Sequence, residues 1–171
     1  QEGNLLIVDH MNHRLKEHRK LDMSFVREYG QLGTGSTSFY NPTGADWDKY
    51  SIYAGDDGNQ KIKKFSRDYL FQTEAKLDIN TIGNLSVRAG PEYIFDAYTR
   101  GSDNFVYFTD VVLEKRNKSD LKLVNRVILR PDGIVASSSY SIRGSIALFS
   151  KFVLVSFNDD VGDAGTFYIQ K

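Results

Sequence analysis

The sequence predicts an all-β fold, a partial β-propeller built from four-stranded blades, and three observations predict it. The first is an internal repeat: Leu5-Leu6-Ile7-Val8-Asp9 with Asn12-His13-Arg14-Leu15 returns as Ile52-Tyr53-Ala54-Gly55-Asp56 with Asn59-Gln60-Lys61-Ile62, so that Asp9 and Asp56 stand 47 residues apart. A third copy reads Val106-Tyr107-Phe108-Thr109-Asp110, and a fourth, Val153-Leu154-Val155-Ser156, begins 47 residues beyond Val106. A period of this length belongs to propeller blades rather than to helical repeats. The second observation is strand chemistry: the apolar runs are short, rich in valine, isoleucine, phenylalanine and tyrosine, and separated by glycine, asparagine and aspartate. The third is the poverty of helix signals. Only residues 14–22 have helical propensity, and they carry too few apolar side chains at helical spacing to bury a face.

Taken in order, residues 3–29 form a partial blade with strands at 5–8, 14–18 and 24–29, the second to fourth of their blade. Residues 42–74 form a complete one, with strands at 43–47, 51–55, 61–65 and 69–73 and a two-residue hairpin turn at Asp57-Gly58. A second complete blade over 91–139 takes strands at 92–96, 105–109, 121–126 and 134–138, with Pro131-Asp132-Gly133 turning the last pair. Residues 143–171 supply a final partial blade with strands at 145–149, 152–156 and 166–170. All of 1–171 reads as one propeller segment. A ring closes with at least about four blades. The pattern is therefore expected to be an arc of a longer propeller, or to close with copies of itself, because bare flanks would expose apolar faces.

Composition narrows the function classes. The 171 residues carry 22 basic and 22 acidic side chains, a balance that argues against a dedicated polyanion binder. With 40% hydrophobic and 13% aromatic residues the chain can fill ordinary cores. No apolar run approaches the roughly 20 residues of a membrane-spanning helix. The absence of cysteine excludes disulfides, thiolate metal sites and a cysteine nucleophile. It leaves the compartment open, with an extracellular or cell-surface setting favoured.

With these residues in view, the chain resembles the NHL-repeat family of β-propellers. Gly3-Asn4-Leu5-Leu6-Ile7-Val8-Asp9 with Asn12-His13-Arg14-Leu15 is similar to that family's strand-and-turn signature, and residues 25–35 with Phe39-Tyr40-Asn41-Pro42-Thr43-Gly44 to its glycine-rich link between blades. The match is good over residues 3–66, moderate over 91–110 and only an outline over 143–171, where Phe157 stands in place of aspartate. The third copy departs at Leu113, in the asparagine position, and by seven extra residues before Leu121. The resemblance implies loops on two flat faces as the meeting place for ligands, and its relatives include RNA binders and lyases that hold a metal with loop histidines.

Several residues invite a chemical reading. Asp9, Asn12 and Arg14, repeated as Asp56, Asn59 and Lys61, form a polar trio that more often fixes turns through backbone amides than binds ligands. His10, His13 and His18 suggest zinc, with His10 and His13 as candidate ligands, but match no compact zinc signature. Asp46, Asp48, Asp56 and Asp57, and separately Asp159, Asp160 and Asp163, offer oxygen ligands to calcium without the glutamate and central glycine of an EF-hand loop. Gly30, Gly33 and Gly35 precede no helix and read as an inter-blade connector rather than a phosphate cradle. Lys61, Lys63, Lys64 and Arg67, interleaved with Phe65 and Tyr69, would suit RNA, although strand alternation splits them between two faces. Asn84-Leu85-Ser86 and Asn117-Lys118-Ser119 are glycosylation acceptors only in a secreted eukaryotic setting.

The reading that best unites these features is a binding or scaffolding module, with enzyme activity left open and no cofactor required, recognising a protein or glycan through blade-face loops near Asp9, His10, Asp56, Asp57 and Asp110. A metal-dependent lyase or hydrolase with zinc or calcium in the channel is one alternative, and an RNA-binding domain a second.

Overall fold

The computed structural model of the chain describes residues 3–77, 81–101, 108–129, 143–148, 152–158 and 164–170. Among these the fold is all-β, and the strands gather into four antiparallel sheets. The first sheet holds β1 (Asn4–Asp9), β2 (Arg14–Arg19) and β3 (Phe25–Tyr29); the second holds β4 (Pro42–Trp47), β5 (Ser51–Asp56), β6 (Lys61–Ser66) and β7 (Phe71–Lys76). The third is made of β8 (Thr81–Ala89), β9 (Tyr93–Gly101), β10 (Phe108–Asn117) and β11 (Leu123–Leu129), and the fourth of β12 (Arg143–Leu148), β13 (Phe152–Asn158) and β14 (Ala164–Gln170). Every strand pairs with its neighbour in sequence, so each sheet is a meander. The leading strands β4, β8 and β12 of successive sheets abut one another, and β1 abuts β4. This is the radial stacking of propeller blades.

Alternation along β5 explains why the sheets stack. Ile52 and Ala54 pack on one side with Leu15, Phe39 and Phe65, against the first sheet. Tyr53 packs on the other with Ile62, Leu85 and Val87, against the third. A strand sandwiched in this way cannot show polar residues on alternate positions, and all of β5 is buried. Gly44 permits the approach of β4 to β8, because a Cβ there would stand 2.7 Å from the Leu85 carbonyl oxygen.

The structure corrects the expected grouping of the third sheet. It runs from 81 to 129 rather than from 92 to 138. Residues 92–96 fall largely on its second strand and 121–126 largely on its fourth, while 134–138 and the Pro131 turn lie outside the described residues. The strand not expected, β8, carries Gly83 and Asn84, residue types depleted in strands, and its ladder to β9 shifts register beside Gly83. Asp110 moves accordingly: it lies within the third strand, opposite Arg100 on β9, and not on the turn that follows a second strand. The Asp57-Gly58 turn also differs. Asp57–Asn59 form a single 3-10 turn, and Gln60 closes it in the left-handed region at φ 55°, so the connection spans four residues instead of two.

Candidate functional site

The two turns that join second strands to third strands carry the repeated polar trio, and the structure shows what the trio does. In the first, Asn12 Nδ2 donates to Asp9 Oδ1 at 2.7 Å, while Arg14 Nε at 2.9 Å and Lys16 Nζ at 2.6 Å share Asp9 Oδ2. The Lys16 ammonium, with Asn12 and Arg14, holds the Asp9 carboxyl well below the usual carboxylate range. In the second, Asn59 Nδ2 donates to Asp56 Oδ2 at 2.8 Å and Lys63 Nζ sits 2.7 Å from the same oxygen. Backbone angles repeat as well: φ and ψ are −94° and 76° at Asp9 and −99° and 79° at Asp56. Lys61, expected to face Asp56, pairs with Glu74 at 2.5 Å instead. The conserved partner within the repeat is the lysine seven residues after the aspartate, a signal that Lys16 and Lys63 carry in the sequence, 47 residues apart.

The second turn is sealed by the connector between β3 and β4. Tyr40 N–H donates to Asp56 Oδ1 at 2.7 Å, and Asn59 Nδ2 reaches the Gly33 carbonyl at 2.9 Å. Lys63 Nζ donates to the carbonyls of Gly35 at 2.8 Å and Ser38 at 2.5 Å. Asp56 and Lys63 are both fully buried. A buried ion pair survives when its remaining hydrogen-bonding groups are met, and here the glycine-rich connector meets them. Asp56 is thus spent on structure, and Asp57 lies half-buried beside it.

The three histidines do not converge. His10 Nδ1–H donates to the Pro42 carbonyl at 3.0 Å, His13 Nδ1 accepts from Asn41 N–H at 3.1 Å, and His18 Nδ1–H donates to the Met23 carbonyl at 2.8 Å. The His13 bond places its ring hydrogen on Nε2. The carboxylates also separate. Asp46 accepts from Trp47 and Ala89 N–H groups, and Asp48 from Tyr50 and Ser51, with Lys118 Nζ 2.6 Å from its other oxygen. Among the described residues no three histidine, aspartate or glutamate side chains are grouped to hold a metal ion. Asp159, Asp160 and Asp163 lie outside the described residues. The basic stretch is dispersed: Lys61 and Lys63 are paired as above, Lys64 Nζ reaches the Ser119 carbonyl at 3.5 Å, and Arg67 stacks 3.7 Å above the Trp47 ring.

What the first turn does offer is exposed apolar surface. Met11 is 76% exposed, and Tyr40 and Leu32 are exposed on the adjoining connector. Tyr40 leans on His13 with ring centroids 5.8 Å apart. Sequence pattern gave no sign of Met11 or Tyr40, since neither belongs to the repeated trio.

No family model matches the sequence, and no curated protein matches it either. Solved structures do. A protein of unknown function from Bacteroides caccae superposes with a TM-score of 0.63 at 12% identity, over 99% of this chain and 58% of that one. A functionally unknown protein from Desulfotomaculum acetoxidans gives 0.59 at 10% identity, over 95% of this chain and 50% of that one. A streptogramin B lyase gives 0.50 at 10% identity, over 100% and 67%. The likeness is one of fold and places the chain among propeller-type all-β proteins. The chain spans 58% and 50% of the length of the first two.

Proposed function

We propose that the chain belongs to an NHL-like β-propeller binding or scaffolding module that recognises a protein or glycan through loops on the face carrying the turn His10–Asn12. The observation that carries this reading is the exposure of Met11 on that turn and of Tyr40 and Leu32 on the connector, which meets the turn through Tyr40 against His13. Exposed apolar side chains rimmed by polar ones mark interaction sites, and an aromatic ring with a wet hydroxyl suits either a peptide or a sugar face. Asp9 and His10 of that turn are already engaged within the chain, so contact area and not charge would supply affinity. A metal-dependent lyase would need ligands converging from several blades, and an RNA reader would need its cations available. Neither draws support from the described side chains.

The reading is tested by screening the chain against a peptide-display library and a glycan array, then repeating the hits with Met11→Glu and Tyr40→Ala. The expected result is at least a tenfold loss of affinity in both variants and none in Leu123→Glu, on the far strand β11. Hits indifferent to the first two variants, or an absence of hits, would remove the proposal.

A further inference from the structure

The outer rim of the third sheet is an edge strand without the usual protection. β11 pairs on one side only, with β10, so its other side presents a row of backbone N–H and C=O groups. Edge strands are normally shielded by charged and polar side chains, and the second sheet follows that rule: the residues its outer strand β7 exposes are Gln72 and Lys76. On β3 two of five residues are charged, Arg27 and Glu28. β11 has a single charge in seven residues, Arg126, whose guanidinium is held by Glu114 of its own sheet at 2.5 and 2.6 Å. What the strand shows to solvent instead is apolar: Leu123 is 45%, Val124 47% and Ile128 43% exposed. The ladder to β10 also passes over Val124, from Leu123 opposite Arg116 to Asn125 opposite Lys115.

We infer that β11 pairs antiparallel with β11 of a second copy of this chain, rim to rim, about a twofold axis at Arg126. The strand's own sequence selects this occupant. In a twofold contact residue i meets j and j meets i, and the register centred on Arg126 sets Val124 against Ile128 on both sides of the axis and Asn125 against Val127. Apolar side chains then face apolar ones as cross-strand pairs. Centring on Asn125 would instead set Lys122 against Ile128 and Val124 against Arg126, and centring on Val127 would set Arg126 against Ile128. The two Arg126 guanidinium groups meet near the axis, each already neutralised by Glu114. With no free charge between 123 and 128 to single out a foreign strand, backbone hydrogen bonds and apolar burial supply the attraction. The pairing uses neither the flanks on which successive sheets stack nor the turn His10–Asn12, so it and the proposed function can fail separately.

The test is self-association of the full chain, followed by sedimentation equilibrium from micromolar to millimolar concentration. A monomer–dimer equilibrium is expected, with a dissociation constant at least tenfold higher for Ile128→Lys and unchanged for Gln72→Lys on β7. Register is read by cross-linking, free of background because the chain has no cysteine. Under oxidised glutathione an equimolar mixture of Val124→Cys and Ile128→Cys chains should form the mixed disulfide dimer. Either chain alone should not, since its two copies of the thiol would lie four residues apart along the ladder, about 13 Å, beyond the reach of a disulfide. A chain that stays monomeric throughout, a dimer indifferent to Ile128→Lys, or cysteine chains that cross-link with themselves as readily as with each other would overturn the inference.

Discussion

The second and third sheets both bury charge, but in different places and to different ends. In the second, the buried pair Asp56–Lys63 lies at the end of the strands and binds the connector from the preceding sheet. In the third, the buried charges lie in the middle of the sheet. Asp96 on β9 directly faces Glu114 on β10. Arg116 Nε lies 3.0 Å from Asp96 Oδ1, its Nη2 also contacts Glu114, and Arg126 Nε on β11 is 2.6 Å from Glu114 Oε1. The first sheet repeats the second device, since Glu17 faces Arg27 across the third and fourth strands, at 2.7 Å, in the position that Glu114 and Arg126 hold. One device ties neighbouring sheets together, and the other ties the strands of one sheet. Self-similarity in the sequence follows the aspartate turn that the first and second sheets share at Asp9 and Asp56.

Breaking the clamp should give the largest effect. Lys63→Met leaves Asp56 buried without its cation, a situation that costs about 3–5 kcal/mol, and the connector carbonyls of Gly35 and Ser38 lose their donor as well. Urea unfolding should show that drop, and Asp56→Asn combined with Lys63→Met should recover much of it. A loss below about 1 kcal/mol, the scale of exposed pairs, would mean that the connector is held by Phe39 and its apolar neighbours alone, and the contrast between the sheets would dissolve.

The parts of the fold that could be read from the amino acids are those in which strand pattern and turn chemistry coincide. The turns at Asp9 and Asp56 announce themselves through a fixed order of carboxylate, amide and cation, and the strands beside them follow. β8 was illegible because Gly83 and Asn84 imitate a loop, and its loss moved the expected third sheet by one strand and carried Asp110 onto a turn that it does not occupy. The buried quartet around Glu114 was missed for a related reason. Asp96 alternates with apolar neighbours and Glu114, Lys115 and Arg116 form an unbroken run of charges, both of which signal a solvated face in a sheet with one side exposed, whereas here both sides are covered. The site residues proposed from the repeat divide likewise: Asp56 is consumed in the clamp, while Asp9 and His10 remain beside exposed surface.

The quartet allows a test of its own through pH. Burial pushes the Asp96 carboxyl well above its ordinary value of 3.8, and the facing Glu114 carboxylate adds to the effect although Arg116 opposes it. The folded chain therefore holds a proton that the unfolded chain releases, so this contribution to stability is complete below about pH 4 and declines as pH rises towards the folded value. Asp96→Asn keeps the oxygen that faces Arg116 and removes the titration. It should flatten the fall in stability between about pH 4 and neutrality, leaving a variant equal to or more stable than the parent at pH 7. A parent chain with no such fall, or a variant with the same one, would show that Asp96 stays ionised and that the two arginines suffice to neutralise both acids.

The smallest effect is expected at the open turn, and its smallness is the point. Lys16→Met removes from Asp9 the same partner that Lys63→Met removes from Asp56, but Asp9 keeps Arg14 and Asn12 and lies within reach of water. Unfolding midpoints at neutral pH should fall far less than with Lys63→Met, as for an ion pair open to water. The change should surface in acid. Asp9 titrates below the carboxylate range when folded, so its contribution is present above about pH 4 and is lost as pH falls through the folded value. Without Lys16 the Asp9 resonance should titrate closer to the ordinary range, and the decline of stability in acid should become shallower, a difference that added salt narrows. If Lys16→Met instead unfolds the chain as Lys63→Met is expected to, the two turns are equivalent in burial as well as in sequence, and a covering segment already lies over the first.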